Sequence, residues 1–107
     1  MDPILQNHVN RIAQHLTEGF PEDYLNECGE PMDALDYLQD ALDIQYIVDG
    51  NRTYLAARVL VAFGGPNIWI NTQTGYVEGY WGGEAVEAPF IDNIGIDEAL
   101  EELWNCY

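Results

Sequence analysis

The chain has 107 residues, 48% apolar and 12% aromatic, so it can bury one core and is not a disordered acidic tail. Nineteen acidic residues face three basic ones, Arg11, Arg52 and Arg58, with no lysine, for a formal net charge of −16. That balance excludes direct binding to DNA, RNA or an anionic membrane, which needs clustered Lys and Arg, and favours a positively charged partner.

In chain order, Asp2-Pro3 reads as a helix N-cap followed by proline at the first helical position. Ile4, Leu5, Val9, Ile12, Ala13 and Leu16 recur at helical spacing and Gly19 stops the run, which predicts a helix over 3–17. A short helical turn is expected from Pro21 to Gly29. A second helix is expected from Pro31 to about Asp43, with Met32, Leu35, Leu38 and Leu42 as its apolar stripe. From Ile44 the period changes to two. A hairpin turning at Asp49-Gly50-Asn51 should carry Leu55, Ala57, Val59, Val61 and Phe63 on one face of its second arm.

Gly64-Gly65-Pro66 breaks that arm, and "NIWIN" and "YVEGYW" form a second hairpin around Thr72–Gly75. A four-residue loop pairs Asn71 with Tyr76. Ile68, Ile70, Val77 and Trp81 then share one face, and Trp69, Tyr76, Glu78 and Tyr80 the other. Residues 82–94 read as a loop. Ile96, Ala99, Leu100, Leu103 and Trp104 mark a last helix over 96–105. The whole chain, 1–107, is thus one α+β domain: N-terminal helices, a four-stranded, mostly antiparallel sheet and a C-terminal helix, with helices on one sheet face.

The acids are arranged as well as numerous. On the expected second helix Asp33, Asp36, Asp40 and Asp43 are spaced 3, 4 and 3, within an arc of about 80° and along about 15 Å. Aspartate is a poor helix former, so a row of short, stiff carboxylates suits display to a partner better than solubility. On the last helix Asp97–Glu101 and Glu98–Glu102 are like-charge pairs four apart, so the apolar stripe must hold that helix. Glu98, Glu101 and Glu102 join the four aspartates as candidate partner-binding residues. The aromatic set Trp69, Tyr76 and Tyr80, rimmed by acid, is a candidate hot spot if no helix or loop covers it. Arg58, amid apolar residues on a strand, is expected to pair internally with a carboxylate.

Other chemistry finds little support. His8 and His15 are seven apart, not the spacing of paired ligands on one helix. Asp43 to Asp49 lacks calcium-loop spacing, and "AFGGPN" has no phosphate-loop lysine. Cys28 and Cys106 read as free thiols. No nucleophile, metal-ligand or acid–base motif marks an enzyme, so neither catalysis nor a cofactor or metal is expected. Met1 leads into a polar segment and no apolar run approaches the ~20 residues of a membrane span, so the expected location is the cytoplasm.

In size, charge and helix–sheet–helix order the chain resembles the small acidic inhibitors of phages and mobile elements, the anti-CRISPR and anti-restriction proteins. Several of these are DNA mimics. The resemblance lies in the profile and no motif carries it, so no residue role transfers. It implies an inhibitor that binds a basic nucleic-acid-binding protein, such as a CRISPR effector or nuclease, and blocks its nucleic-acid site. An immunity protein for a basic nuclease toxin has the same profile. Acid-rich, lysine-poor composition is also found in halophile proteomes.

Overall fold

A computed structural model describes residues 3–26 and 28–106 of the chain. The expected N-cap, Asp2, lies outside the described residues. Helix α1 spans Pro3–Glu18 and buries Leu5, Val9, Ala13 and Leu16 in one stripe, while Ile4 faces solvent. Gln6 and Gln14 donate to Asn10 and Glu18 four residues on, along its wet side. Gly19 ends the helix at φ 97°, a left-handed position where glycine has no Cβ to clash, and its N–H bonds the His15 carbonyl at 2.9 Å.

Of the short helical turn expected from Pro21 to Gly29, only the start forms. Tyr24 N–H closes a single turn on the Pro21 carbonyl, and Leu25 then bridges Pro31. Asn26 organises what lies between: its side-chain oxygen accepts from the N–H groups of Cys28 and Glu30 at 2.9 and 3.0 Å. A short side chain bonding its own backbone neighbours competes with helix, and here it wins.

Helix α2 is Ala34–Gln39, shorter than expected at both ends. Asp33 is extended and caps it, accepting from Asp36 N–H at 2.8 Å, while the Asp36 carboxylate accepts from Asp33 N–H at 3.2 Å. This reciprocal capping box starts the helix at Ala34 rather than Pro31. Asp40 is the C-cap, and Leu42 N–H then bonds the Leu60 carbonyl and draws the chain into the sheet. The expected straight row of four aspartates on one helix face is therefore corrected: Asp33 and Asp40 flank α2, Asp36 lies within it, and Asp43 opens the first strand. Ala34 and Leu38 face the core, whereas Leu35 and Leu42 are exposed.

The sheet has five strands, not four, in the order β1-β2-β3-β4-β5: Asp43–Val48, Tyr54–Ala62, Asn67–Asn71, Tyr76–Trp81 and Glu84–Pro89. All four neighbouring pairs are antiparallel. The added strand occupies part of the expected 82–94 loop. Gly82 and Gly83, at φ 61° and 85°, make the tight turn between β4 and β5 that needs positive φ at both central residues.

Asn71 pairs with Tyr76 as expected, and Ile68, Ile70 and Val77 are fully buried. Trp81 is exposed instead, because β3 pairing ends at Asn67–Tyr80 and Trp81 meets only Glu84. In β2 the expected face is interrupted twice. A bulge opposite Ile47/Val48 puts Tyr54 rather than Leu55 against the core, and a second between Leu60 and Ala62 turns Phe63 outward. Ala57 and Val59 are fully buried between the bulges.

Helix α3 is Ile96–Trp104 and buries Ile96, Ala99 and Leu100. The Asp92 carboxylate accepts from Ile96 and Asp97 N–H at 2.8 and 2.9 Å, satisfying two orphan donors at the helix start. The main helix packing falls on one sheet face: α1 crosses β4 and β5, and α3 lies on β2 beside α2. Gly79 permits a close approach of α1 to β4, since a Cβ there would lie 2.6 Å from Val9 Cγ2. Among the described residues no helix is long and apolar enough to cross a membrane.

Candidate interaction surface

Alternation in the strands leaves the second sheet face without a helix. Residues pointing away from Ile44, Val59, Ile70, Val77 and Ala88 fall into rows that run across every strand. The first row is Asp43–Leu60–Trp69–Glu78–Glu87, each paired with the next. At ~4.8 Å between strands it measures roughly 19 Å. The second is Gln45–Arg58–Asn71–Tyr76–Pro89. Tyr80, paired with Asn67 and Ala85, begins a third.

Glu78 stands at the centre. It receives the Arg58 guanidinium at 3.3 Å and the Asn71 amide at 3.3 Å. The guanidinium also lies 4.4 Å from the Trp69 ring centre, within cation–π range. The internal pairing expected for Arg58 is therefore present. Asn71 is itself buried and closes the β3–β4 loop by accepting from Gln73 and Thr74 N–H. Glu87, directly across from Glu78, is exposed. Tyr80 is 40% exposed. Its partial desolvation, and then the Glu78 and Glu87 carboxylates beside it, raise its hydroxyl pKa above the usual tyrosine range.

The helical acids form a different surface. Glu98, Glu101 and Glu102 are exposed on α3, which packs against α2. Two of the expected carboxylates, Asp33 and Asp36, and their neighbour on α3, Asp97, are engaged internally. Asp36 accepts from Asn26 at 3.0 Å, and that bond, with the one from Asp33 N–H, holds its carboxyl below the usual range. Asp97 accepts the Tyr54 hydroxyl at 2.6 Å. Burial, followed by this bond, holds the Tyr54 proton on well above the usual tyrosine range. Asp40 remains exposed at the end of α2.

Of the expected set, Trp69, Tyr76 and Tyr80 thus share the sheet face with Asp43 at its β1 edge, while Asp33, Asp36, Asp40, Glu98, Glu101 and Glu102 remain with the helices. Glu78 and Glu87 are not in the expected set: Glu78 is read on the aromatic face but not as a site residue, and the place of Glu87 depends on the fifth strand, for which the alternation in "EAVEAP" is the available signal.

A cleft of about 260 Å³ lies between the Asn26 loop and α2, lined by Leu25, Cys28, Met32 and Asp36 among others. Cys28 and Cys106 are free and exposed. No His/Cys/Asp/Glu group suited to a metal ion occurs among the described residues. His15 packs edge-on to Tyr24 at 5.1 Å, and partial burial, then Arg11, lower its pKa. No family model, curated protein or solved structure matches the chain.

Proposed function

We propose that the protein is an acidic inhibitor that binds a basic nucleic-acid-binding protein and blocks its nucleic-acid site. The observation that carries this is a net charge of −16 on a folded domain with only three basic residues. One of those, Arg58, is already spent on Glu78. So unbalanced a field costs stability through self-repulsion and steers the chain toward a positive groove. The protein acts by binding and not by catalysis, in the manner of the anti-CRISPR and anti-restriction inhibitors, in the cytoplasm where such targets work. It does not itself bind nucleic acid.

A second function, neutralising a basic nuclease toxin, is favoured by Trp69 and Tyr80 beside acid on the uncovered sheet face, since aromatic anchors dominate tight interfaces. Gene neighbourhood separates the two: a toxin gene alongside favours immunity, and phage genes favour anti-defence.

The test is to capture partners from host lysate at low salt, purify the basic ones, and follow labelled duplex DNA or RNA on each by fluorescence anisotropy. Stoichiometric displacement of the nucleic acid is expected. Sustained binding of duplex DNA to the acidic protein itself in a gel shift would overturn the proposal.

A further inference from the structure

We infer, building on the basic partner proposed above, that the docking surface is the sheet face and that its exposed acids, Asp43 and Glu87 on either side of the Arg58–Glu78–Trp69 cluster, receive arginine side chains of that partner. The partner chemistry follows from charge and from what the face already holds. Arg58 of the chain itself sits over Trp69 at 4.4 Å and on Glu78 at 3.3 Å, so the face binds a guanidinium by an aromatic plane and a carboxylate together.

Glu87 repeats half of that arrangement. It is paired directly with Glu78, and like charges directly opposite one another destabilise a sheet. Arg58 relieves the charge of Glu78 and leaves that of Glu87, exposed on the neighbouring strand, for an incoming cation. Asp43 supplies a third carboxylate at the far end of the same row, three strands from Glu78 and roughly 14 Å away. The row carries three acids and no base, and the adjoining row supplies one base, Arg58. A local conflict left in place on the one face no helix covers is the pattern of a functional site. Of the helical acids, Asp33, Asp36 and Asp97 already cap a helix or hold Tyr54, which leaves exposed Asp40, Glu98, Glu101 and Glu102 as the competing surface.

The test uses the full chain and a hexa-arginine peptide as probe, at 150 mM NaCl on the order of physiological ionic strength, where long-range attraction is screened. Two variants are matched in charge and drawn from exposed positions: Asp43→Asn with Glu87→Gln, and Glu101→Gln with Glu102→Gln. The sheet pair should weaken the probe on the order of tenfold and the helix pair less than about twofold. In the native protein the Trp69 indole signal should move in a ¹H–¹⁵N spectrum. Equal losses, or a larger loss from the helix pair, would overturn the docking surface while leaving the basic partner in place. Loss of the partner itself would show separately, as failure to displace nucleic acid in the anisotropy assay above. A Trp69 signal that stays still while α3 signals move would also overturn it.

Discussion

Replacing Gly79 with alanine tests the packing on which the acid row depends. Gly79 lies in β4 between Glu78 and Tyr80, with its α-carbon turned toward α1. An added Cβ would lie 2.6 Å from Val9 Cγ2, 3.0 Å from Leu5 Cδ1 and 3.3 Å from Val86 Cγ2. The first distance is not sustainable, and Val9 and Leu5 are fully buried, so neither can swing into solvent. Gly→Ala in a compatible strand with open space would stabilise by roughly 0.4–1 kcal/mol. Overpacking costs about 1–3 kcal/mol, so the clash decides the sign. For a domain of this size each 1 kcal/mol moves Tm by about 4–8 °C, which makes a fall of roughly 5–15 °C the expected result. Urea titration should show a lower midpoint at unchanged slope. Val9→Ala removes the clashing methyl, so the double variant should be less destabilised than the sum of the singles by about 1 kcal/mol or more. A Gly79→Ala protein as stable as the native one, or strict additivity with Val9→Ala, would refute the close packing of α1 on β4.

Asp36→Asn should lower Tm more than Asp40→Asn, because only Asp36 closes the capping box and accepts from Asn26; equal Tm values would contradict that. Asp92→Ala should cost about 0.5–2 kcal/mol in urea titration, since both orphan N–H groups at the start of α3 lose their acceptor. Burial holds the Tyr37 hydroxyl up to about 12, and burial with the Asp97 bond raises Tyr54 as well. The folded chain therefore keeps protons that the unfolded chain releases above its value of 10.0, so stability is intact below that pH and falls as pH rises beyond it. Urea midpoints at pH near 9 and near 11 check this, and Tyr37→Phe should flatten the fall.

Much of the fold was legible because local pattern and tertiary structure agree. The stripes of α1 and α3 are strictly periodic, and the loop before Tyr76 has the length that pairs Asn71 with it. The aspartates misled because spacings of 3, 4 and 3 fit a helix, yet aspartate is first a capping residue. Asp33 stops the helix from starting earlier, and Asp40 marks its end. The fifth strand was hidden by its small and acidic residues, although Gly82-Gly83 is a hairpin signal in its own right. The β2 bulges leave no mark in periodicity, since one extra residue shifts register without changing composition. The aromatic half of the sheet surface could be read from alternation. Glu78 could be read there too, but Asp43 and Glu87 could not, because joining them to it requires register across five strands.

The central claim is that this charge is read by a nucleic-acid groove on another protein. Amide hydrogen–deuterium exchange on a captured basic partner, with and without the acidic protein, measures it most directly. Protection is predicted along the partner's nucleic-acid groove, overlapping the peptides that duplex DNA or RNA protects. Protection confined to a surface that nucleic acid leaves untouched would contradict the account.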